Sequence, residues 1–208
     1  MRPSDTNMIY LASKSPRRQE LLNQIGIRFV VLDIPPQDTA HADMIDETVL
    51  VNENAADYVS RLSREKADFA WKFLIAANVP TYPVLTADTT VVLDNLILGK
   101  PQNRVEAYDM MERLSGKTHQ VLTSVAVRNG DFFSQVLQTS RVTFGQLSPE
   151  NIEAYIDTSE PYDKAGGYGI QGLAGKFIKH IEGSYSGIMG LPLYESSELL
   201  KKAGIAVP

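Results

Sequence analysis

The chain contains no cysteine, which removes disulfides, zinc-thiolate sites, iron–sulfur clusters and a cysteine nucleophile together. It lacks any apolar run near the roughly 18–20 residues that span a bilayer. Residues 1–7 are polar and have no apolar signal-peptide core. Positive charge is scarce too: 20 Lys and Arg stand against 25 Asp and Glu, a net charge of −5. Broad coating of nucleic acid is thereby excluded, whereas a local cationic pocket is not. The three histidines, His41, His119 and His180, are scattered without metal-ligand spacing. What remains is 208 residues, 43% hydrophobic and 22% charged. That composition sets aside disorder, collagen-like and coiled-coil readings, and the length suffices for a buried core. The expectation is a soluble cytoplasmic protein with one continuous two-lobed domain over 8–208 and a short polar extension before it.

Hydrophobic periodicity gives an interleaved order of strands and helices. A short apolar run at 8–12 leads into Ser15-Pro16, with Ser15 in the N-cap position and Pro16 in the first turn. Leu21, Leu22 and Ile25 form a helical stripe that Gly26 stops. Residues 28–33 read as a strand, and 34–54 as a long loop. Apolar residues at 55, 59, 62, 69, 70, 73 and 77 have the spacing of a long amphipathic helix. Residues 83–87 read as a strand ending at Asp88. Residues 91–93 and 96–98 flank Asp94-Asn95 as a hairpin, and Asn103 with Glu106 has capping-box spacing. Strands follow at 121–127 and 132–144 around Asn129-Gly130-Asp131, then a helix from Ser148-Pro149, a Gly-rich irregular stretch at 160–172, a strand at 177–181 and a helix at 192–203. This order predicts an α/β protein with a mixed sheet.

Two familiar motifs fail on context. Gly167 to Gly172 matches G-x-G-x-x-G, but no apolar strand precedes it and no helix pattern follows, so a nicotinamide site is set aside. Gly116-Lys117-Thr118 resembles the end of a P-loop, yet Met111 stands where that motif needs glycine. Three other features carry chemistry. Ser13 to Arg18 sets two hydroxyls and two guanidiniums at a strand-to-helix junction, which suits an anion or equally an ordinary capped helix with solvated arginines. Asp88 follows a strand, where a carboxylate holds a metal ion, takes a proton from water, or merely satisfies a turn. Lys66 falls on the apolar stripe of the long helix, where a lysine either snorkels to solvent or meets an anion.

The segments LASKSPRR (11–18), ADT (87–89), LGKP (98–101), LSGKTHQVLT (114–123), EPYDKAGGYGIQG (160–172) and GSY…MGLPL (183–193) resemble, in this order, the motifs of the Maf family. These are nucleotide pyrophosphatases, also described as septum-formation inhibitors. The resemblance covers about residues 8–205. It implies an elongated mixed β-sheet between two α/β lobes with a cleft, similar to the inosine triphosphate pyrophosphatase fold. It implies hydrolysis of a nucleoside triphosphate to the monophosphate and pyrophosphate with a divalent cation, Mg²⁺, Mn²⁺ or Co²⁺, and a homodimer. ADT together with AGGYGIQG is similar to the branch acting on dTTP and UTP; alternatives are the same reaction on a modified or purine nucleotide, or regulation of cell division by protein contact. By the same resemblance Asp88 is the proton acceptor or a metal ligand, and Arg17, Thr89 and Gln171 set specificity. Ser13, Arg18, Lys66 and Lys100 hold phosphate, and Glu47 holds metal. The connection 33–44 is longer than the family's usual one, which leaves Asp46 or an aspartate of that connection as an alternative to Glu47.

Overall fold

The structure, a computed structural model, describes residues 7–32, 34 and 45–208. His41 and, apart from residue 34, the connection 33–44 lie outside them. Among the described residues seven strands form one mixed sheet in the order β2-β1-β3-β5-β6-β7, with β4 paired to β3 beside that path. The strands are β1 (Met8–Leu11), β2 (Arg28–Val31), β3 (Val84–Leu93), β4 (Leu96–Leu98), β5 (Thr118–Asn129), β6 (Phe132–Phe144) and β7 (Ile178–Glu182). β1 runs parallel to β2 and β3, and all other pairings are antiparallel. The helices are α1 (Pro16–Gln24), α2 (Ala55–Ala76), α3 (Arg104–Leu114), α4 (Pro149–Ile156), α5 (Tyr185–Ile188) and α6 (Leu193–Lys202). Among the described residues no helix is long and apolar enough to cross a membrane.

Side chains alternate across a strand, so β3 serves two faces. Leu85 and Ala87 join a core built with α1 and α6; Val91 joins a second core built with α3 and α4. Thr89 has the same parity and falls between the two. On the opposite face Val84 and Val92 pack against α2, which bears Val59, Ala70 and Leu74. β5 and β6 run through both cores at roughly 3.3 Å per residue, close to 40 Å of continuous strand.

β3 does not end at Asp88, as the sequence pattern suggests, but continues to Leu93. Its pairing with β5 extends from Val84 to Val92 without a break, and that ladder carries the polar Asp88-Thr89-Thr90 step. On the other side β1 pairs only as far as Leu85, and β4 only from Val91 onward. Residues 86–90 therefore form an open edge between two neighbouring strands. The gap in the sheet, rather than a strand end, is what makes a cleft at Asp88.

Several local expectations take physical form. Asp94 and Asn95 both have positive φ, the requirement of a two-residue type I′ hairpin. Asn103 accepts from Glu106 N, and Ser148 from Asn151 N, as helix caps. Ser15 sits at the N-cap of α1, but its side chain caps nothing; it lines the cleft instead. The buried face of α2 keeps Val59, Leu62 and Ala70 of the expected stripe and adds Ser63, Ala67 and Leu74, whereas Ala77 is exposed. Small residues at 63 and 67 bring the helix close to the sheet, and a polar cluster replaces apolar packing there. Ser63 Oγ lies 2.7 Å from Ser124 Oγ, and Thr86 Oγ1 donates to Ser63 O. The Gly-rich stretch folds into 3₁₀ turns at Glu160–Asp163 and Ala165–Gly167, and a third, Leu173–Phe177, precedes β7. A 3₁₀ turn and β7, not an α-helix, come directly after Gly172, which leaves the dinucleotide motif without its context.

Candidate active site

A cavity of about 440 Å³ opens at the gap beside β3. Of the residues singled out in the sequence, Arg17, Arg18, Glu47, Lys66, Asp88, Thr89, Lys100 and Gln171 line it. Ser13 stands behind the lining and acts through Arg18.

Arg18 is held by neutral acceptors. Its Nε donates to Gly190 O (2.9 Å), Nη1 to Ser13 Oγ (3.0 Å) and Nη2 to Thr89 Oγ1 (3.3 Å). Thr123 Oγ1, 3.0 Å from Thr89 Oγ1, donates to Gly187 O, so the Thr89 hydroxyl gives its proton to Thr123 and receives from Arg18. A backbone carbonyl, two threonines and a serine thus orient one guanidinium without neutralising it. Gly190 has φ +109, and a Cβ there would touch Thr89 Oγ1 at 3.4 Å. Burial pulls the Arg18 guanidinium below its ordinary pKa, Asp88 opposes that shift, and Arg17 adds to it; an arginine stays charged under such a shift. Among the described residues Arg17, Arg18 and Lys100 make no ion pair.

The acidic side of the cavity is organised by one lysine. Lys66 Nζ donates to Asp88 Oδ1 at 2.6 Å and meets Glu47 Oε1 at 2.8 Å. On the α2 stripe the choice between solvent and an anion is settled toward anions. Burial disfavours the ammonium, yet Asp88 and then Glu47 outweigh it and hold the Lys66 pKa above its ordinary value. Burial also opposes the Glu47 charge; Lys66 first, then Lys100 and Arg18, keep its pKa below the usual carboxylate value. Asp46, the alternative to Glu47, turns its carboxylate to Thr48 N at 2.9 Å.

Opposite them runs the 160–172 loop. Gly166 has φ +71, its N–H donates to Gly99 O (2.9 Å), and a Cβ there would lie 2.8–2.9 Å from Val91 carbons. This close approach sets Lys100 and the loop on one rim. The Glu160 carboxylate accepts from Leu173 N (2.7 Å), Ala174 N (3.2 Å) and Tyr155 Oη (3.0 Å). It anchors the turn just beyond Gln171, whose side chain is left at the cavity wall. The Tyr168 ring also lines the cavity, and its hydroxyl lies 2.7 Å from buried His119 Nε2. His119 is a core residue, and His180 is exposed on β7.

Sequence reasoning passed over Arg61, Thr123, Glu160 and Lys164, the last of which lines the cavity and donates from Nζ to Glu160 O at 2.8 Å. The last three stand inside motifs quoted for the family resemblance, so position alone flagged them. Arg61 carried no signal beyond lying on α2 near Lys66.

The divalent cation expected from the resemblance can be tested against these donors. Glu47 and Asp88 are both within hydrogen-bonding distance of a single ammonium, so one cation can serve both. Two carboxylates completed by phosphate oxygens and water are an ordinary magnesium donor set. The residues fit such an ion, although among the described residues no cluster of three or more acidic or imidazole ligands occurs.

Arginines and a lysine facing a carboxylate pair across a polar cavity, on a mixed α/β scaffold, suit a small polyanionic ligand. Comparison with known proteins agrees. The family model for Maf-like protein matches residues 8–203, and the chain belongs to that family. It is 48% identical over 200 residues to a dTTP/UTP pyrophosphatase of Bordetella avium (strain 197N), covering 96% of this chain and 97% of that one. It is 51% identical over 206 residues to a dTTP/UTP pyrophosphatase of Methylobacillus flagellatus, covering 98% of each. Among solved structures, the Staphylococcus aureus Ham1 protein matches with a TM-score of 0.42 and 10% identity over 66% of this chain and 71% of that one, a likeness too distant to bear on the site.

Proposed function

We propose that the protein is a nucleoside triphosphate pyrophosphatase that hydrolyses dTTP and UTP to the monophosphate and pyrophosphate. The observation that carries this reading is the Lys66-bridged pair Asp88 and Glu47 facing Arg18, which makes no ion pair among the described residues, in one cleft. Relatives about half identical over nearly their whole length bear the dTTP/UTP name.

In this reading the triphosphate lies against Arg18, Lys66 and Lys100. A nucleoside triphosphate carries about four negative charges, which repel an incoming nucleophile; fixed cations draw that charge off the phosphoryl oxygens. Arg18 is oriented before the ligand arrives, so little reorganisation accompanies binding. Lys66 has three donors and uses two on carboxylates, which leaves one for a phosphate oxygen. Asp88 accepts the proton of the attacking water. Glu47 and Asp88 would hold the divalent cation, which would supply neutralisation of phosphate charge and ease ionisation of water. Gln171 offers both amide donors and an acceptor to the edge of a pyrimidine, and Arg17 and Thr89 border the same space. A site built to pair a polar edge disfavours bases that leave its groups unpaired. Residues from both cores line the cavity, so residues 8–208 work as one unit.

The test is pyrophosphate release over a panel of canonical and modified nucleotides with Mg²⁺, Mn²⁺ and Co²⁺ in turn. dTTP and UTP should lead in kcat/KM. Release of single phosphate, or a preference for purines, would overturn the reading.

A further inference from the structure

Residues 45–50 contain no helix or strand, yet Glu47 within them must keep a carboxylate at the cleft. We propose that Arg61 is the positioning residue for Glu47, holding the carboxylate where the divalent cation binds. The inference rests on the reading of Glu47 as a metal ligand.

Every N–H of the Arg61 guanidinium has an acceptor. Nε donates to Glu53 Oε1 at 2.7 Å and Nη2 to Glu53 Oε2 at 2.9 Å, a two-point fork. The remaining Nη2 proton reaches Thr48 O at 3.0 Å. Nη1 donates to Asp46 O at 3.2 Å and to Glu65 Oε2 at 3.3 Å. Asp46 and Thr48 are the immediate neighbours of Glu47, so one side chain grips the backbone on both sides of it. The carbonyl of Glu47 itself accepts from Tyr58 Oη at 2.9 Å. Three consecutive carbonyls are thus tied to side chains of α2, the helix that also carries Lys66. Glu53 closes the segment by accepting Leu50 N at 3.0 Å. With all five donors committed and no place in the cavity lining, Arg61 has nothing left for substrate.

Lysine cannot replace this grip, because three donors on one atom do not span two carbonyls and a carboxylate fork. Arg61→Lys keeps the charge and removes the geometry. Mn²⁺ binding by the full chain, followed by electron paramagnetic resonance of the free ion, reads the effect without turnover. Glu47→Gln and Arg61→Lys should each weaken Mn²⁺ binding about 10–100-fold. In the Glu47→Gln background Arg61→Lys should add almost nothing, since its effect passes through that carboxylate. The Mg²⁺ concentration for half-maximal turnover should rise in parallel. Should Arg61→Lys fail to fold, Tyr58→Phe removes a single tie on the same segment and should loosen Mn²⁺ binding to a smaller degree. Wild-type affinity in Arg61→Lys beside loss in Glu47→Gln would overturn the role of Arg61 alone. Additive losses in the double variant would mark a general structural role instead. Unchanged Mn²⁺ binding in Glu47→Gln, or none in the wild type, would overturn the metal reading and this proposal with it.

Discussion

Asp88 faces α2 while its neighbour Thr89 faces the two cores, and this one-residue alternation splits the proposed chemistry between the two faces of a strand. Lys66 reaches Asp88 from one side and Arg18 reaches Thr89 from the other. Asp88→Asn keeps an oxygen for Lys66 but removes the base. Turnover should fall on the order of 10²–10⁴-fold while the melting temperature moves little. Near-normal pyrophosphate release would exclude Asp88 as the proton acceptor. Glu160 allows a finer separation, because its carboxylate holds the backbone beyond Gln171 without lining the cavity. Glu160→Gln replaces charge-assisted bonds, typically about 1.5–3 kcal/mol, with weaker ones. KM for dTTP should rise about tenfold, with kcat changing less; an equal fall in kcat at constant KM would place Glu160 in the chemical step instead. In the sequence Arg18 is flagged by its strand-to-helix junction, Asp88 by the polar step after an apolar run and Lys66 by its place on an apolar stripe, and the fold brings all three to one cavity. Glu160 and Arg61 were not legible, since each bonds to backbone atoms that only the folded chain brings near.

Among the elements, those with local signals were readable. Asp94-Asn95 forces its own hairpin, Asn103 and Ser148 cap the helices that follow them, and Gly26 has the positive φ expected where α1 stops. The length of β3 was not readable, because a polar triplet inside a strand resembles a strand's end. Only the unbroken ladder to β5, a long-range pairing, carries the chain through Asp88 to Leu93. Part of the buried face of α2 was not readable for a similar reason: Ser63 is buried against Ser124 and Gln135, and a serine gives no apolar signal. Gly166 shows how tightly the cleft's rim is set. Alanine there would place a Cβ under 3.0 Å from Val91 in a positive-φ conformation. Left-handed backbone costs about 1–2 kcal/mol and overpacking about 1–3 kcal/mol. Gly166→Ala should therefore lower the melting temperature by on the order of 10 °C, and a shift under about 2 °C would show that the loop yields freely.

Across the whole molecule, long strands thread two cores, and the proposed site occupies the polar seam between them. The α/β class and mixed sheet were legible from alternating periodicities, whereas the gap between β1 and β4 depends on pairings that no local pattern encodes. The second core contains a titratable group with a separate consequence. His119 is buried between Phe144 and Tyr168, with Nδ1 lacking a hydrogen-bond partner among the described residues, and burial lowers its pKa from 6.5 to about 4. Because this pKa is depressed for a base, the unfolded chain binds the proton first as pH falls. Stability contributed by the neutral ring is complete above about 6.5 and declines from there toward 4. The slope is at most about 1.4 kcal/mol per pH unit, or about 3 kcal/mol across the window. Glu53 acts elsewhere on the scale: Arg61 lowers its pKa to about 2, so that contribution fades only between about 4.5 and about 2. His119→Gln retains a polar atom for the Tyr168 hydroxyl but takes up no proton. Thermal unfolding of both proteins between pH 7 and pH 4 should show a steep decline in the wild type and a shallower one in the variant, whatever their difference at pH 7. Parallel curves would mean that the second core opens to water before His119 titrates, and that the seam between the cores is looser than its packing indicates.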